Sequence, residues 1–258
     1  MLSDAAKRAL AGTRFADVRW VSETGSTNAD VMALARAGVG EGLAIVADHQ
    51  TAGRGRVGRT WSAPSGSSLL LSVLLRPTPA AAGFCGMAMG VAAVDAVSAV
   101  TGVTARLKWP NDLVWPGLGD QRDRKVGGIL AEADWSDAAS PAVVVGIGLN
   151  VNWPPSFPED LRAIATSLNH VASRDVDREE LLVAILRELD RRCDDGGLVD
   201  AVRARSATLG SRVRVELAAE VFDGDAAELT DQGHLVVAVD GGAQRVISAG
   251  DVVHLRPA

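Results

Sequence analysis

The segment HQTAGRGRVGRTWSAPSGS at 49–67 is where the chain concentrates residue types suited to chemistry. Arg54, Arg56 and Arg59 are interleaved there with Gly53, Gly55 and Gly58, and Trp61 follows. Guanidinium groups are planar forked donors matched to phosphate or carboxylate. Glycine lets a backbone move and approach a ligand closely. The run fits the G-x-G-x-x-G dinucleotide fingerprint in letters only. Such a loop opens an apolar helix and has an acidic residue about 20 positions on. Here Arg59, Trp61, Pro64 and Gly66 follow, and no acid lies at 73–78. A Walker-type phosphate loop is absent too. Two readings of the segment remain: a basic glycine loop that closes on an anion, or a solvated turn. Trp61 could stack on a base or fill the core.

Four further segments add to this inventory. In LKWPNDLVW (107–115), Lys108 ends a strand, Pro110 holds Trp109 extended, and Asn111 and Asp112 form a turn. A Lys and an Asp in one turn suit a triphosphate with Mg²⁺, the ammonium on phosphate oxygens and the carboxylate on the metal or its waters. In RKVGGILAE (124–132), Lys125 enters a strand whose Gly127 and Gly128 leave room beside the backbone. In GIGLNVN (146–152), Gly146 and Gly148 interrupt a buried strand ahead of Asn150 and Asn152, a sign of close approach by ligand or neighbouring backbone. Ser26, Thr27 and Asn28 begin a helix, where they could serve as a cap, present free N–H donors to a ligand, or both.

These segments must be held by a mixed set of elements. Helices are predicted at 3–10, capped by Ser3, at 26–38, at 83–100 and at 178–197. Strands are predicted at 14–22, 43–50, 68–75, 104–108, 112–115, 126–133 and 142–152, with a Pro-rich loop at 153–160. The polar insertion GLGDQRDR precedes Lys125. After Leu209 the texture changes to short β-branched runs between Gly and Asp turns, as in a small β-barrel. The boundary near Ala207 divides the chain into 1–207 and 208–258.

Composition narrows the function classes. With 258 residues, 47% hydrophobic and 22% charged, the chain can bury a core. Its net charge of -6 argues against a surface that clings to nucleic acid or anionic membrane. There is no Tyr, which excludes a Tyr nucleophile or general acid. His49, His170, His234 and His254 are scattered without metal-ligand spacing, and Cys85 and Cys193 read as reduced thiols. The first residues carry charge where a signal peptide needs an apolar run, and the apolar stretch 83–100 is broken by Asp95. The expectation is a soluble, cytoplasmic protein with neither membrane nor nucleic-acid partner.

Taken in order, S-T-N, Q-T-A-G-R-G-R-x-G-R-x-W, K-W-P-N-D, K-x-x-G-I-L-x-E and G-x-G-x-N-V-N resemble the biotin protein ligases over roughly residues 21–170. The resemblance implies an α+β fold: a mixed β-sheet with flanking helices, like the class II aminoacyl-tRNA synthetases and biotinyl/lipoyl ligases, plus a C-terminal SH3-like β-barrel. It implies synthesis of biotinyl-5′-AMP from biotin and ATP, with Mg²⁺ as cofactor. The biotinyl group would then pass to one lysine of the biotin carrier domain of a carboxylase. Position by position, Ser26, Thr27, Asn28, Gln50, Gly53, Arg54, Gly55, Arg56, Lys125 and Gly128 would bind biotin. Arg54, Arg56, Arg59, Trp61, Lys108, Asn111 and Asn150 would bind the nucleotide, and Asp112 the magnesium. Lys125, Arg56 and Lys108 would carry the catalysis, and Thr166, Ser167 and Leu168 are further candidates to line biotin or adenine. The family commonly has L-A-G where this strand reads V-G-G, and the insertion could shift where Lys125 enters it. Fewer than thirty residues precede Ser26, so the monofunctional type without an N-terminal DNA-binding domain is expected. A lipoate or octanoate ligase of the same architecture is the alternative; the polar Ser26, Thr27, Asn28 and Gln50 favour a ureido ring. A nucleic-acid-binding module, opposed by the net charge, and a non-catalytic biotin binder, which would not require K-W-P-N-D, are the other readings.

Overall fold

Strand β3, Ser68–Leu75, is buried along its whole length, as a leucine-rich strand covered on both faces is. Leu69, Leu71, Val73 and Leu75 face the larger hydrophobic core, while Leu74 joins a smaller one opposite. The computed structural model describes residues 2–117, 122–159, 161–217, 219–248 and 250–255. The middle of the insertion before Lys125, 118–121, lies outside the described residues.

Around β3 stand β1 (Val18–Thr24), β2 (Ala44–Gln50), β4 (Arg106–Lys108), β5 (Asp112–Trp115), β6 (Arg124–Asp134) and β7 (Ala142–Asn150). They form one seven-stranded sheet in the order β1-β2-β3-β7-β6-β5-β4. The β1–β2 pair is parallel and the others are antiparallel, so the sheet is mixed. Strand β1 starts four residues later than its sequence suggests, because the preceding residues have other work. Phe15 is fully buried, and Arg14 is tied to Asp190 at 2.8 Å and to Asp194 at 2.7 Å.

Helix α1 (Asp4–Leu10) is capped by the Ser3 side chain, as expected. Helix α2 (Thr27–Arg36) buries Val31 and Ala35 against Leu43, Ile45, Leu74 and Val144, forming the smaller core on one sheet face. Helix α3 (Cys85–Thr101) lies against the other face, with α5 (Arg178–Arg192) packed on it. Segment 82–101 has the length and apolarity of a membrane span, with a mean hydropathy of 1.6. Here it is the central helix of the larger core. Asp95, its only charged residue, pairs with Arg192 at 3.0 Å and Arg205 at 2.6 Å. Helix α5 inserts Leu181, Leu182, Ile185, Leu186 and Leu189, all without exposed surface; each such side chain contributes roughly 1.5–3 kcal/mol. It ends at Arg192, short of the expected 197, and the short helices α4 (Leu168–Ala172) and α6 (Leu198–Ala204) are additions to the predicted set.

The C-terminal segment is a second, antiparallel sheet of five strands: β8 (Arg212–Glu216), β9 (Val221–Leu229), β10 (Leu235–Val239), β11 (Gln244–Ile247) and β12 (Asp251–His254). Its order is β11-β10-β9-β8-β12. Val213, Val215, Leu235 and Val237 point inward and join the larger core. It also grips the turn after β4: Trp109 N–H donates to Thr208 Oγ1 at 2.9 Å, and its indole N–H to the Gly233 carbonyl at 3.1 Å.

Candidate active site

The site is cut into the sheet face that α2 covers only in part. On that face Gly128 of β6 stands opposite Gly148 of β7, and Leu130 opposite Gly146. The glycines leave space that neighbours occupy. A Cβ on Gly146 would collide with Asn28 Oδ1, and one on Gly148 would lie 2.5 Å from Trp61 Cε2. Between them opens a cavity of about 150 Å³. Ser26, Thr27, Asn28 and Gln50 line one side. Arg54, Gly55, Arg56, Arg59 and Trp61 line another. Asn111, Asp112, Lys125 and Gly128 complete the expected set that reaches it.

The first side is neutral and mostly buried. Ser26 occupies the N-cap position of α2 but makes no side-chain capping bond. The Thr27 backbone N–H and hydroxyl both donate to Gln50 Oε1, at 2.8 and 2.9 Å. Ser72, fully buried in β3, donates to Asn28 Oδ1 at 2.6 Å and lies 2.7 Å from Thr27 Oγ1. The Asn28 amide donates to the Leu130 carbonyl at 3.2 Å and to Glu132 Oε2 at 2.8 Å. Bonds of this kind, buried together, fix rotamers and leave donors and acceptors aimed in set directions.

The glycine loop is a narrow hairpin. Trp61 N–H donates to the Gly53 carbonyl at 3.0 Å, and Gly55 N–H to the Arg59 carbonyl at 2.7 Å. Gly53 does not line the cavity; a Cβ there would press into the Trp61 carbonyl, so it serves the hairpin's closeness. At the tip, a 3₁₀ turn at Arg56–Gly58 puts Val57 at φ 54° with 81% of its surface exposed. A left-handed valine costs about 1–2 kcal/mol, so the tip holds its shape against a local preference.

Each cation on the wall already has an internal partner. Arg54 forks onto Glu132, with both bonds at 3.1 Å. Arg56 donates to Asn111 Oδ1 at 3.1 Å. Arg59 is paired with Asp251 of β12, and Lys125 Nζ with Asp112 Oδ1 at 2.6 Å. Lys125 Nζ also lies 5.5 Å from the Trp61 ring centre, in cation–π range. The Trp61 indole N–H is enclosed without a hydrogen-bond partner. An anion entering the cavity would therefore meet cations that can exchange one carboxylate for another, in a setting where such bonds are strong.

Two other expected residues sit apart from this cavity. Lys108 lines the adjoining cleft, behind Asn111 and Asp112. Burial pushes its ammonium below the ordinary lysine value, against the pull of Asp112, Asp123 and Asp251. Asn150 is buried at the end of β7 with its amide donated to the Thr166 carbonyl at 3.0 Å. Conversely, Ser72, Asp251 and Glu132 were not among the candidates. Ser72 and Asp251 line the cavity, and Glu132 holds two residues that do. Glu132 ends a quoted motif but is too far in sequence from Asn28 and Arg54 for spacing to link them; Ser72 and Asp251 carry no motif signal at all. The wall carboxylates are Asp112 and Asp251, and no cluster of three or more metal-ligating side chains occurs among the described residues. One carboxylate completed by phosphate oxygens and waters is a donor set that magnesium accepts, so Asp112 fits that cation alongside a nucleotide.

Comparison with known proteins adds to this geometry. A family model described as Biotin/lipoate A/B protein ligase family matches residues 24–150, and one described as Biotin protein ligase C terminal domain matches 208–255. The chain is 42% identical to a biotin--[acetyl-CoA-carboxylase] ligase of Mycobacterium tuberculosis, over 95% of this chain and 92% of that protein. It is 32% identical to a protein of the same name from Paracoccus denitrificans, over 90% of this chain and 98% of the relative. Among solved structures, the biotin protein ligase of Aquifex aeolicus in complex with biotin and ATP superposes with a TM-score of 0.76 at 28% identity, covering 94% of this chain and all of that one.

Proposed function

The chain belongs to the biotin protein ligase family, and from that premise we propose how its residues divide the work of a biotin--[acetyl-CoA-carboxylase] ligase. Biotin and ATP form biotinyl-5′-AMP and pyrophosphate; the biotinyl group then passes to a lysine of a carboxylase's biotin carrier domain. The observation that carries the assignment of roles is the cavity's two-sided chemistry. Neutral hydrogen-bonding groups stand on one side and Arg54, Arg56 and Lys125 on the other. A ureido ring needs the first; a carboxylate approaching a phosphate needs the second. A lipoyl ring offers no hydrogen bonds to Asn28 or Gln50, and covering their polar groups with an apolar ring brings no compensating bond.

In the first step a biotin carboxylate oxygen attacks the α-phosphorus and the bond to pyrophosphate breaks. Both reactants are anions, so the site acts by neutralising charge and aligning the groups. Lys125, freed from Asp112, approaches the carboxylate; Arg56 and Arg59 turn to the phosphates; Trp61 borders the adenylate. Magnesium, when bound with the nucleotide at Asp112, supplies charge neutralisation at the phosphates. In the second step the lysine amine of the carrier attacks the acyl carbon, AMP leaves and the amide keeps the biotinyl group. Until then the hairpin around Arg56 screens the anhydride from water, the task of a lid. A cytoplasmic location goes with this reading, because ATP is available there.

The test is to mix the protein with biotin, ATP·Mg²⁺ and a carboxylase carrier domain and to weigh the carrier. A gain of one biotinyl group, abolished when the acceptor lysine is replaced, is the expected result. An unchanged carrier mass would defeat the assignment.

A further inference from the structure

We propose that Glu132 is a positioning residue that couples the neutral side of the cavity to the glycine loop; this rests on the ligase reading above. Strand β6 turns Gly128, Leu130 and Glu132 to the same face, since side chains alternate along a strand. Gly128 and Leu130 border the cavity, and Glu132 stands one step further along. There its carboxylate does two things at once. Oε2 accepts the Asn28 amide at 2.8 Å, and both oxygens accept the Arg54 guanidinium at 3.1 Å.

The Asn28 side chain can be placed two ways round, and its surroundings choose one. An ionised carboxylate only accepts hydrogen bonds, so Glu132 demands the NH₂ end. The Leu130 carbonyl, at 3.2 Å, demands the same. The oxygen end is thereby turned to Ser72 and seated in the space that Gly146 leaves. Asn28, at 4% exposure, has no water to compensate for a wrong orientation. Arg54 in turn is the first residue of the hairpin ladder, bridged to Thr60. One carboxylate thus sets which atom the recognition side presents and where the loop is anchored. A bidentate guanidinium–carboxylate pair adds direction as well as attraction. A ligand that pulls on Asn28 shifts the acceptor on which Arg54 rests, and closure of the loop shifts the acceptor of Asn28.

The experiment uses the whole protein and four variants: Glu132→Gln, Arg54→Ala, the two combined, and Glu132→Ala. Biotin affinity is read by calorimetry, retention of biotinyl-adenylate by a chase, and folding by thermal unfolding. In Glu132→Gln the remaining carbonyl still accepts from Asn28, so biotin affinity should stay within about three-fold, while the fork to Arg54 is lost and the adenylate should escape roughly ten-fold faster. Arg54→Ala should give the same acceleration, and the double variant no more than either alone, as expected of one shared contact. Glu132→Ala, which leaves Asn28 unheld, should weaken biotin binding by roughly ten- to a hundred-fold. Additive effects of the two single changes, or adenylate retention in Glu132→Gln equal to wild type, would overturn the coupling. A variant that fails to fold shows itself in the unfolding scan and moves all readouts together, so the Glu132→Gln comparison still decides. Wild-type protein that binds no biotin would instead strike the ligase reading itself.

Discussion

The two sides of the cavity are built on opposite terms. On one, Thr27, Asn28, Gln50 and Ser72 are neutral, mostly enclosed and bound to each other. On the other, Arg54, Arg56 and Arg59 sit on an exposed hairpin and are held by side chains from elsewhere in the chain, the carboxylates of Glu132 and Asp251 and the amide of Asn111. A neutral group gains little by moving, because its recognition value lies in a fixed direction; a cation that must follow an anion through a reaction gains from being able to leave its partner. In the proposed division of work, fixed recognition and exchangeable charge are thus kept on separate elements and meet over three strand glycines.

The contrast can be broken most severely from beneath. Gly146→Ala puts a methyl group where Asn28 Oδ1 now lies. Overpacking of this kind costs about 1–3 kcal/mol, lowering Tm by several degrees. The displaced amide should also weaken biotin binding by roughly a hundred-fold. Calorimetry on both properties checks this, and native-like binding would mean the glycine does not shape the recognition side. Next in size, Lys125→Ala should slow biotin-dependent pyrophosphate exchange by roughly ten- to a hundred-fold, through loss of one charge-assisted contact, with Tm little changed. Lys108→Arg, which keeps its charge outside the cavity, should slow it less; equal exchange rates would remove Lys125 from its central place.

On the cationic side the effects should be smaller and selective. Arg56→Ala should leave biotin affinity within about three-fold and shorten retention of the adenylate roughly ten-fold. A chase showing native retention would deny the hairpin its role as a lid. Smallest of all, Asp251→Asn should alter the KM for ATP by no more than about five-fold, because solvent-exposed ion pairs are worth 0–1 kcal/mol. The change should shrink as salt rises. A large loss of kcat from this substitution would mean that the pair does more than park Arg59.

Much of the recognition side was legible in the chain because it is written locally. The Ser26-Thr27-Asn28 start of α2, the glycines of β6 and β7 and the apolar run of β3 all carry their geometry in short-range pattern. What could not be read were the partners. Asp251 meets Arg59 across 192 positions and Glu132 meets Arg54 across 78, and only strand order brings such residues together. The late start of β1 has the same origin: burial of Phe15 and the ion pairs of Arg14 outweigh the local strand preference of 14–17. The dislocation of Lys108 into the adjoining cleft follows from β4 and β5 turning back at Trp109, a geometry the motif letters do not contain.

Helix α3 has small or apolar residues almost all round, so its hydrophobic pattern alone would tolerate several rotations about its axis. Asp95 removes that freedom. It acts as an index mark: the observed rotational setting brings the carboxylate to Arg192 of α5 and Arg205 just beyond α6, and one that turned it to the core would strand a charge in hydrocarbon. Because α3 supports the underside of β6 and β7, the angular setting of a helix that touches no ligand fixes the level at which the glycine floor lies.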